Sequence, residues 1–232
     1  MVVIGKKIIV YLSMKNFFLI LFFTLISSAA FSQSKDSLCR EFKKDTFYVK
    51  IASYMDLHKG DTLADIGAEY GYTIVRIAHY SPGVIFYEED IKSRFTNRIM
   101  FKSTIKKACA NVDLNSFRYF KGNSKNTKFP DHFFKKIFIG ISVHEFEFKE
   151  EMMMDMKRIL RNDGSLYIME CFFIKPGLKE KNCIRPYMLE PEFDALMDQS
   201  GFKMVRKINL FEGVVESAEN NYKTFFYEFK LK

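Results

Sequence analysis

The chain has 232 residues, with 48% hydrophobic side chains, 28% charged side chains and a formal net charge of +8 at pH 7. This length suits one domain with a substantial core, and the apolar content is ordinary for a globular protein. No internal repeat is visible, and the basic residues form no dense arginine-aromatic stripe, so the sequence shows no clear nucleic-acid-binding surface.

The first part of the chain has the organisation of a secretory signal peptide. Three lysines precede a strongly apolar run at residues 17–26, and Ala30 and Ser32 then form an Ala-x-Ser cleavage signal. This pattern is typical of an export signal, here over residues 1–33 or beginning at Met14. We therefore expect an exported protein, periplasmic or secreted. The alternative is an uncleaved segment that anchors the chain in a membrane, which would be its only membrane contact.

Residues 34–232 form the predicted domain, in which short apolar runs alternate with segments of helical periodicity. The predicted strands are 62–66, 84–87, 117–120, 137–141, 166–169, 205–210 and 224–231. The predicted helices fall at 42–55, 74–78, 93–109, 152–160 and 193–197. This order predicts an α/β fold, a three-layer sandwich with a mostly parallel seven-stranded sheet and a closing C-terminal antiparallel hairpin.

Polar residues follow three of the predicted parallel strands, at the edge of the sheet where such folds bind ligands. The first group is the turn at residues 65–71, where glycine permits a tight turn and a close approach of the backbone to a ligand. Glu88 comes about 20 residues after this turn, the spacing of a ribose-binding acid. Asn123 follows the third strand, where its amide could pair with an adenine edge.

The glycine spacing separates two kinds of nucleotide site. A dinucleotide site has the pattern Gly-x-Gly-x-x-Gly. If Gly67 is the first glycine of this pattern, the second and third glycines fall on Glu69 and Tyr72, so two of the three positions do not match. The pattern Gly-x-Gly-x-Gly fails only at Glu69, because Gly71 is present. The sequence therefore favours the second pattern over a nicotinamide site.

These motifs resemble those of the class I S-adenosylmethionine-dependent methyltransferases over residues 40–232. The first motif of that family corresponds to residues 59–72, and the entry to its fifth strand corresponds to residues 158–166. The resemblance implies that S-adenosylmethionine is the cofactor and that the acceptor is a small molecule. It places His144 and Glu145, after the fourth strand, beside the methyl group and the acceptor as catalytic residues. The cofactor-binding residues that it implies are Asp65, Gly67, Glu69, Gly71, Tyr72, Glu88 and Asn123.

Two observations keep a non-enzymatic alternative open. Glu69 places a bulky carboxylate where the family has glycine, and that carboxylate could clash with the cofactor, turn outward or pair with its amino group. The predicted export would also bring the chain to a compartment where this cofactor is not expected in quantity. The alternative is an exported binding protein, non-catalytic or repurposed, that keeps the methyltransferase fold.

The four cysteines predict no metal site. Cys39, Cys109, Cys171 and Cys183 form no Cys-x-x-Cys pair, and no histidine stands at zinc-finger spacing. Cys171 and Cys183 are close enough in sequence to bridge across a loop, but partly buried thiols are an equally open interpretation.

Overall fold

The computed structural model describes residues 46–173, 175–178, 183–215 and 220–232. The predicted signal segment lies outside these residues. Within the described part of the chain, no helix combines the length and apolar character needed to cross a membrane. The strands are β1 (Thr62–Ile66), β2 (Ile85–Asp90), β3 (Phe117–Lys121), β4 (Phe134–Gly140), β5 (Leu160–Phe173), β6 (Phe202–Val215) and β7 (Asn220–Leu231). The α-helices are α1 (Thr46–Tyr54), α2 (Tyr72–His79), α3 (Arg98–Lys107), α4 (Lys149–Ile159) and α5 (Glu190–Gln199).

The seven strands form one sheet in the order β3-β2-β1-β4-β5-β7-β6. The first five strands in this order are parallel, and β7 runs antiparallel to both of its neighbours. The predicted fold class, including the closing hairpin, is therefore confirmed. From β1 the chain moves outward to β3 and then returns to the other side of β1, which makes the gap between β1 and β4 the topological switch point.

The sheet is buried on both faces, which explains why its central strands are apolar on consecutive residues. Ala64 and Ile66 of β1 join a core cluster with Met153 of α4 and Phe193 of α5. Leu63 is equally buried on the alternate face of the same strand. The helices α4 and α5, which follow the switch point, therefore pack on the face of the sheet that carries Ala64 and Ile66.

The bounds of β2 and α3 differ from the sequence prediction for physical reasons. The structure extends β2 through three acids to Asp90, because all three carboxyl groups are buried and their backbone pairs with β1 and β3. The helix predicted at 93–109 begins only at Arg98, since the side chain of Asn97 caps it by accepting the amides of Ile99 and Met100.

Phe193 tests the core that joins α5 to the hairpin. Its ring is fully buried and lies 5.0 Å from the ring of Tyr227 and 5.3 Å from that of Phe172, centroid to centroid. We expect Phe193→Ala to lower the free energy of unfolding by about 3–5 kcal/mol, because it leaves a cavity. Urea denaturation measures the change. Ile99→Ala, at a position 80% exposed, is the control and should change it by less than about 0.5 kcal/mol; equal effects would contradict the assignment of Phe193 to the core.

Candidate functional site

The loop between β1 and α2 turns through three residues in the left-handed backbone region. Gly67, Glu69 and Gly71 have φ angles of 73°, 45° and 70°, a conformation that only glycine adopts without steric cost. The amides of Gly67 and Ala68 both donate to the carbonyl oxygen of Glu89, each at 3.0 Å. These bonds hold the loop against the end of β2, at the carboxyl edge of the sheet.

Gly71 is required by packing as well as by its backbone conformation. It is the N-cap of α2, and its amide donates to the carbonyl oxygen of Ala68 at 2.9 Å. A Cβ atom at this position would lie 2.6 Å from the ring of Phe101, well inside van der Waals contact. Tyr72, the next predicted site residue, begins α2 with an exposed ring and is therefore accessible from solvent.

Glu69 stands in the middle of this loop with its side chain exposed. Its amide donates to Oδ2 of Asp90 at 3.2 Å. Partial burial and the negative charges of Asp90 and Glu145 raise the pKa of the Glu69 carboxyl, whereas Lys92 and His144 act to lower it. Because groups that follow both β2 and β4 act on this carboxyl, it lies at the carboxyl edge of the sheet.

Two carboxyl groups are buried together where β1 pairs with β2. Asp65 lies opposite Glu88 in the strand register, and the two residues are 4% and 0% exposed. Neither carboxyl oxygen of Glu88 makes a well-aligned hydrogen bond to the described residues. Burial raises the pKa of Asp65 to about 7, and burial together with the neighbouring Asp65 raises that of Glu88 well above its usual range.

Glu89 points to the other face of β2 and is buried against the turn that follows β3. Burial, with a further contribution from the charge of Asp90, raises its pKa to about 8. Its Oε1 has no hydrogen-bond partner in the described part of the chain. A Cβ atom on Gly122 would lie 1.9 Å from this oxygen. The carboxyl group of Glu89 has room there only because residue 122 is glycine.

The structure brings a different acid to the glycine loop from the one that the sequence predicts. Glu88, predicted to bind the ribose, lies fully buried two residues before the end of β2. Asp90 is the last residue of the strand, and its two carboxyl oxygens accept the amides of Lys92 and Glu69 at 2.7 Å and 3.2 Å. A spacing of about 20 residues cannot choose among three consecutive acids, so sequence reasoning missed Asp90. Ribose binding by Glu88 stays a prediction.

Asn123 follows β3, where the sequence places it. Its side-chain oxygen accepts the amides of Lys125 and Asn126, both at 2.9 Å, and so caps a tight turn. The predicted contact with adenine stays a prediction, and it would come from a side chain whose oxygen already has this structural role.

Ser142 joins the two sides of the switch point, and sequence reasoning missed it. Its hydroxyl lies 3.2 Å from the carbonyl oxygen of Gly67 and 3.1 Å from that of Gly140, within hydrogen-bond distance of both. A Cβ atom on Gly67 would lie 2.9 Å from the Cβ of Ser142. Gly67 is therefore required by the close approach of the β4 end, in addition to its left-handed backbone.

His144 is buried in a short 3-10 turn after β4, and its ring is held from two sides. Nδ1 lies 3.1 Å from Oε1 of Glu170, and the ring stacks on Tyr187 with a centroid distance of 4.1 Å. Glu170 is fully buried and also accepts the amides of Val143 and Cys171. The Nε2 atom of His144 is buried without a hydrogen-bond partner among the described residues. A glutamate inside the apolar strand 166–173 is the sequence signal that could have identified Glu170.

Glu145, the second predicted catalytic residue, connects this turn to the segment before α5. Its Oε1 accepts the amide of Ile184 at 2.7 Å and lies 3.7 Å from Nε2 of His144. His144 and Glu145 thus lie in one turn with their side chains close together, and their catalytic roles stay predictions. Cys171 and Cys183, between which the sequence left a disulfide open, are both thiols.

Comparison with known proteins identifies the fold and not a specific relative. No family model and no curated protein sequence matches the chain. Solved structures match at low sequence identity. A S-adenosylmethionine-dependent methyltransferase from Aquifex aeolicus is 14% identical with a TM-score of 0.56, over 83% of this chain and 97% of that one. A putative methyltransferase from Bacillus halodurans C-125 is 11% identical with a TM-score of 0.58, over 78% and 96%.

The same architecture is also found in a protein described by a different reaction. The [4+2]-cyclase SpnF is 12% identical with a TM-score of 0.62, over 81% of both chains. At these identities the similarity establishes that the chain has the fold of the class I methyltransferases. The activity has to be argued from the site itself.

Substitutions at residue 69 measure the strain in the loop. Because the backbone there is left-handed, we expect Glu69→Gly to be more stable than Glu69→Ala by about 1 kcal/mol, in spite of the greater flexibility of glycine in the unfolded chain. Urea denaturation of the two variants gives the difference. A more stable alanine variant would show that residue 69 is not held in the left-handed region.

The buried acids predict that the protein loses stability as the pH rises. The folded-state pKa values of Asp65 and Glu89, about 7 and about 8, lie above those of the unfolded chain, so folding retains protons that the unfolded chain releases. This contribution is complete below about pH 4 and is lost as the pH rises through the folded-state values. We expect the urea midpoint to be lower at about pH 9 than at about pH 5.5.

Glu89→Gln separates this effect from general charge effects. Glutamine keeps the shape of the protonated acid without titrating, so the midpoint should fall less between the two pH values than it does in the parent protein. Glu147→Gln removes an exposed acid and should leave the pH dependence unchanged. A parent protein whose midpoint does not fall would show that these carboxyl groups titrate normally.

Proposed function

We propose that the chain is an S-adenosylmethionine-dependent methyltransferase that acts on a small-molecule acceptor. The observation that carries the proposal is the glycine loop, with left-handed residues at positions 67, 69 and 71 and a hydrogen bond to the last acid of β2. The sheet order puts this loop beside the switch point between β1 and β4, where α/β folds bind ligands. The fold that the chain shares with known methyltransferases supports the same class.

The residues of the loop fit an adenosine-bearing sulfonium in conformation and in charge. Glu69 already has the left-handed backbone of the glycine that it replaces, so the path of the loop is kept. The charges of Asp90 and Glu145 act on the carboxyl group of Glu69 at the carboxyl edge of the sheet, and negative charge there favours a cationic sulfonium and its ammonium group. We assign the ribose hydroxyls to Asp90, because it ends β2 and accepts the amide of Glu69 in the glycine loop, whereas Glu88 lies two residues earlier and is 0% exposed.

The turn after β4 is the part of the chain that would act on the acceptor. The bound cofactor supplies an electrophilic methyl group, and its transfer depends mainly on the alignment of the acceptor. Glu170 holds the His144 ring through Nδ1 and leaves Nε2 as the ring atom that can accept a proton or bind another group. Glu145 lies beside this atom and extends the site toward Ile184.

An exported binding protein without methyltransferase activity is the second candidate. Glu69 favours it, because a carboxylate at this position could occupy space that the cofactor needs. The signal pattern at residues 1–33 supports export of such a protein to the periplasm or the medium. Under this proposal the loop keeps its structural role and another ligand takes the site.

Calorimetry with the full chain distinguishes the two candidates. We expect S-adenosylmethionine and its demethylated product to bind the parent protein. Asp90→Asn should weaken the affinity for both ligands by about 10-fold or more, because it removes hydrogen bonds to a charged group. Asp113→Asn is the matched control, because asparagine can also cap the short helix that Asp113 caps; it should bind as the parent does.

The Glu69→Gly variant decides between the candidates if the parent does not bind. Binding by this variant alone would show that the carboxylate blocks the cofactor and would favour the second candidate. No heat with either protein would remove the methyltransferase proposal and leave only the fold.

A further inference from the structure

The turn after β4 carries a histidine and a carboxylate, and the segment that leads into α5 brings a thiol close to both. The ligating atoms of His144, Glu145 and Cys183 all lie within 4.8 Å of one another. We propose that these three residues bind a divalent metal ion of the zinc class. The sequence gives no zinc motif because Cys183 is 38 positions from Glu145, and only the fold brings the two together.

The strongest evidence for the site is the unpaired nitrogen of His144. The side chain is almost fully buried, and Nε2 has no hydrogen-bond partner among the described residues, an arrangement that costs free energy unless a ligand completes it. The bond from Nδ1 to the buried Glu170 fixes the ring and leaves Nε2 as the ligating atom. A carboxylate on the far nitrogen of a metal-binding histidine is the usual outer-shell arrangement at zinc sites.

The distances in the cluster are close to those that a metal ion requires. Bonds of about 2.0–2.3 Å in tetrahedral geometry separate ligand atoms by roughly 3.3–3.8 Å. The separation of 3.7 Å between His144 Nε2 and Glu145 Oε1 is already in this range. The Sγ atom of Cys183 has to approach the other two ligand atoms by about 1.3 Å at most.

The donor types and their charges select the ion. Imidazole nitrogen, thiolate sulfur and carboxylate oxygen are the three donor types that zinc uses, whereas calcium and magnesium prefer oxygen alone. When Cys183 loses its thiol proton on binding, the thiolate and Glu145 together carry two negative charges, which balance a divalent cation. Cys183 also lies 3.8 Å from the hydroxyl of Tyr187, which can donate a hydrogen bond to that thiolate.

Three protein ligands leave one tetrahedral position for water or an acceptor. A thiol or hydroxyl acceptor that binds there releases its proton more easily, so the ion would replace His144 as the group that activates the acceptor. This use of the ion rests on the proposed function, but the metal site itself does not. A failure of metal binding would leave the cofactor-binding result unchanged, and the reverse also holds.

Metal titration of the full chain tests the site directly. After treatment with a chelator, we expect the protein to bind a single Zn²⁺ ion by calorimetry. Co²⁺ should give the visible bands of a tetrahedral site and a near-ultraviolet thiolate band. Cys183→Ser should abolish the thiolate band, and Glu145→Gln should weaken Zn²⁺ binding by more than the 10- to 100-fold that is typical of outer-shell changes.

Matched variants separate specific binding from nonspecific binding and from misfolding. Cys171→Ser removes a thiol outside the cluster, and Glu147→Gln removes a neighbouring acid that faces solvent; both should bind metal as the parent does. Circular dichroism checks that the Cys183 and Glu145 variants fold. Failure of the parent to bind Zn²⁺ would overturn the proposal, and so would unchanged binding by folded Cys183→Ser and Glu145→Gln.

Discussion

A strand at the centre of a parallel sheet has to leave the sheet abruptly, and this constraint at β1 determines the site. Strand β1 has β2 on one side and β4 on the other, so after Ile66 the chain leaves the sheet through a turn of left-handed residues. Two amides of the turn are bound to the carbonyl of Glu89 and a third to Asp90. The loop is therefore positioned by β2 and not by its own flexibility, and every group at the carboxyl edge is arranged around it.

Buried acids are accommodated in two different ways on the two sides of this loop. On the β2 side, both carboxyl oxygens of Glu88 and Oε1 of Glu89 have no hydrogen-bond partner among the described residues, and burial raises the pKa of both carboxyl groups. On the β4 side, Glu170 accepts the amides of Val143 and Cys171 and contacts the His144 ring. These donors fix the carboxyl group of Glu170 in position, and the fixed carboxyl group orients the His144 ring through Nδ1.

The sequence predicts the architecture well because its signals are local. Apolar runs, glycine turns and helical periodicity each involve a few consecutive residues, and their alternation along the chain predicts a mostly parallel sheet with a closing hairpin. The site depends on contacts between distant positions, such as Ser142 with Gly67 and His144 with Glu170. A pattern along the chain carries no information about these pairs. It also cannot tell which of three adjacent acids lies at the end of a strand, so Asp90 required the structure.

The contact between Glu89 and Gly122 limits how related chains can diverge. Any side chain at 122 would occupy the space of the Glu89 carboxyl, so position 122 is not free to vary while residue 89 stays glutamate. A larger residue at 122 requires a shorter one at 89, and the order of the two changes matters. Shortening residue 89 first leaves a small gap, whereas enlarging residue 122 first creates a steric collision. We expect such pairs to appear as correlated substitutions in an alignment of relatives, linking the second and third strands of the sheet.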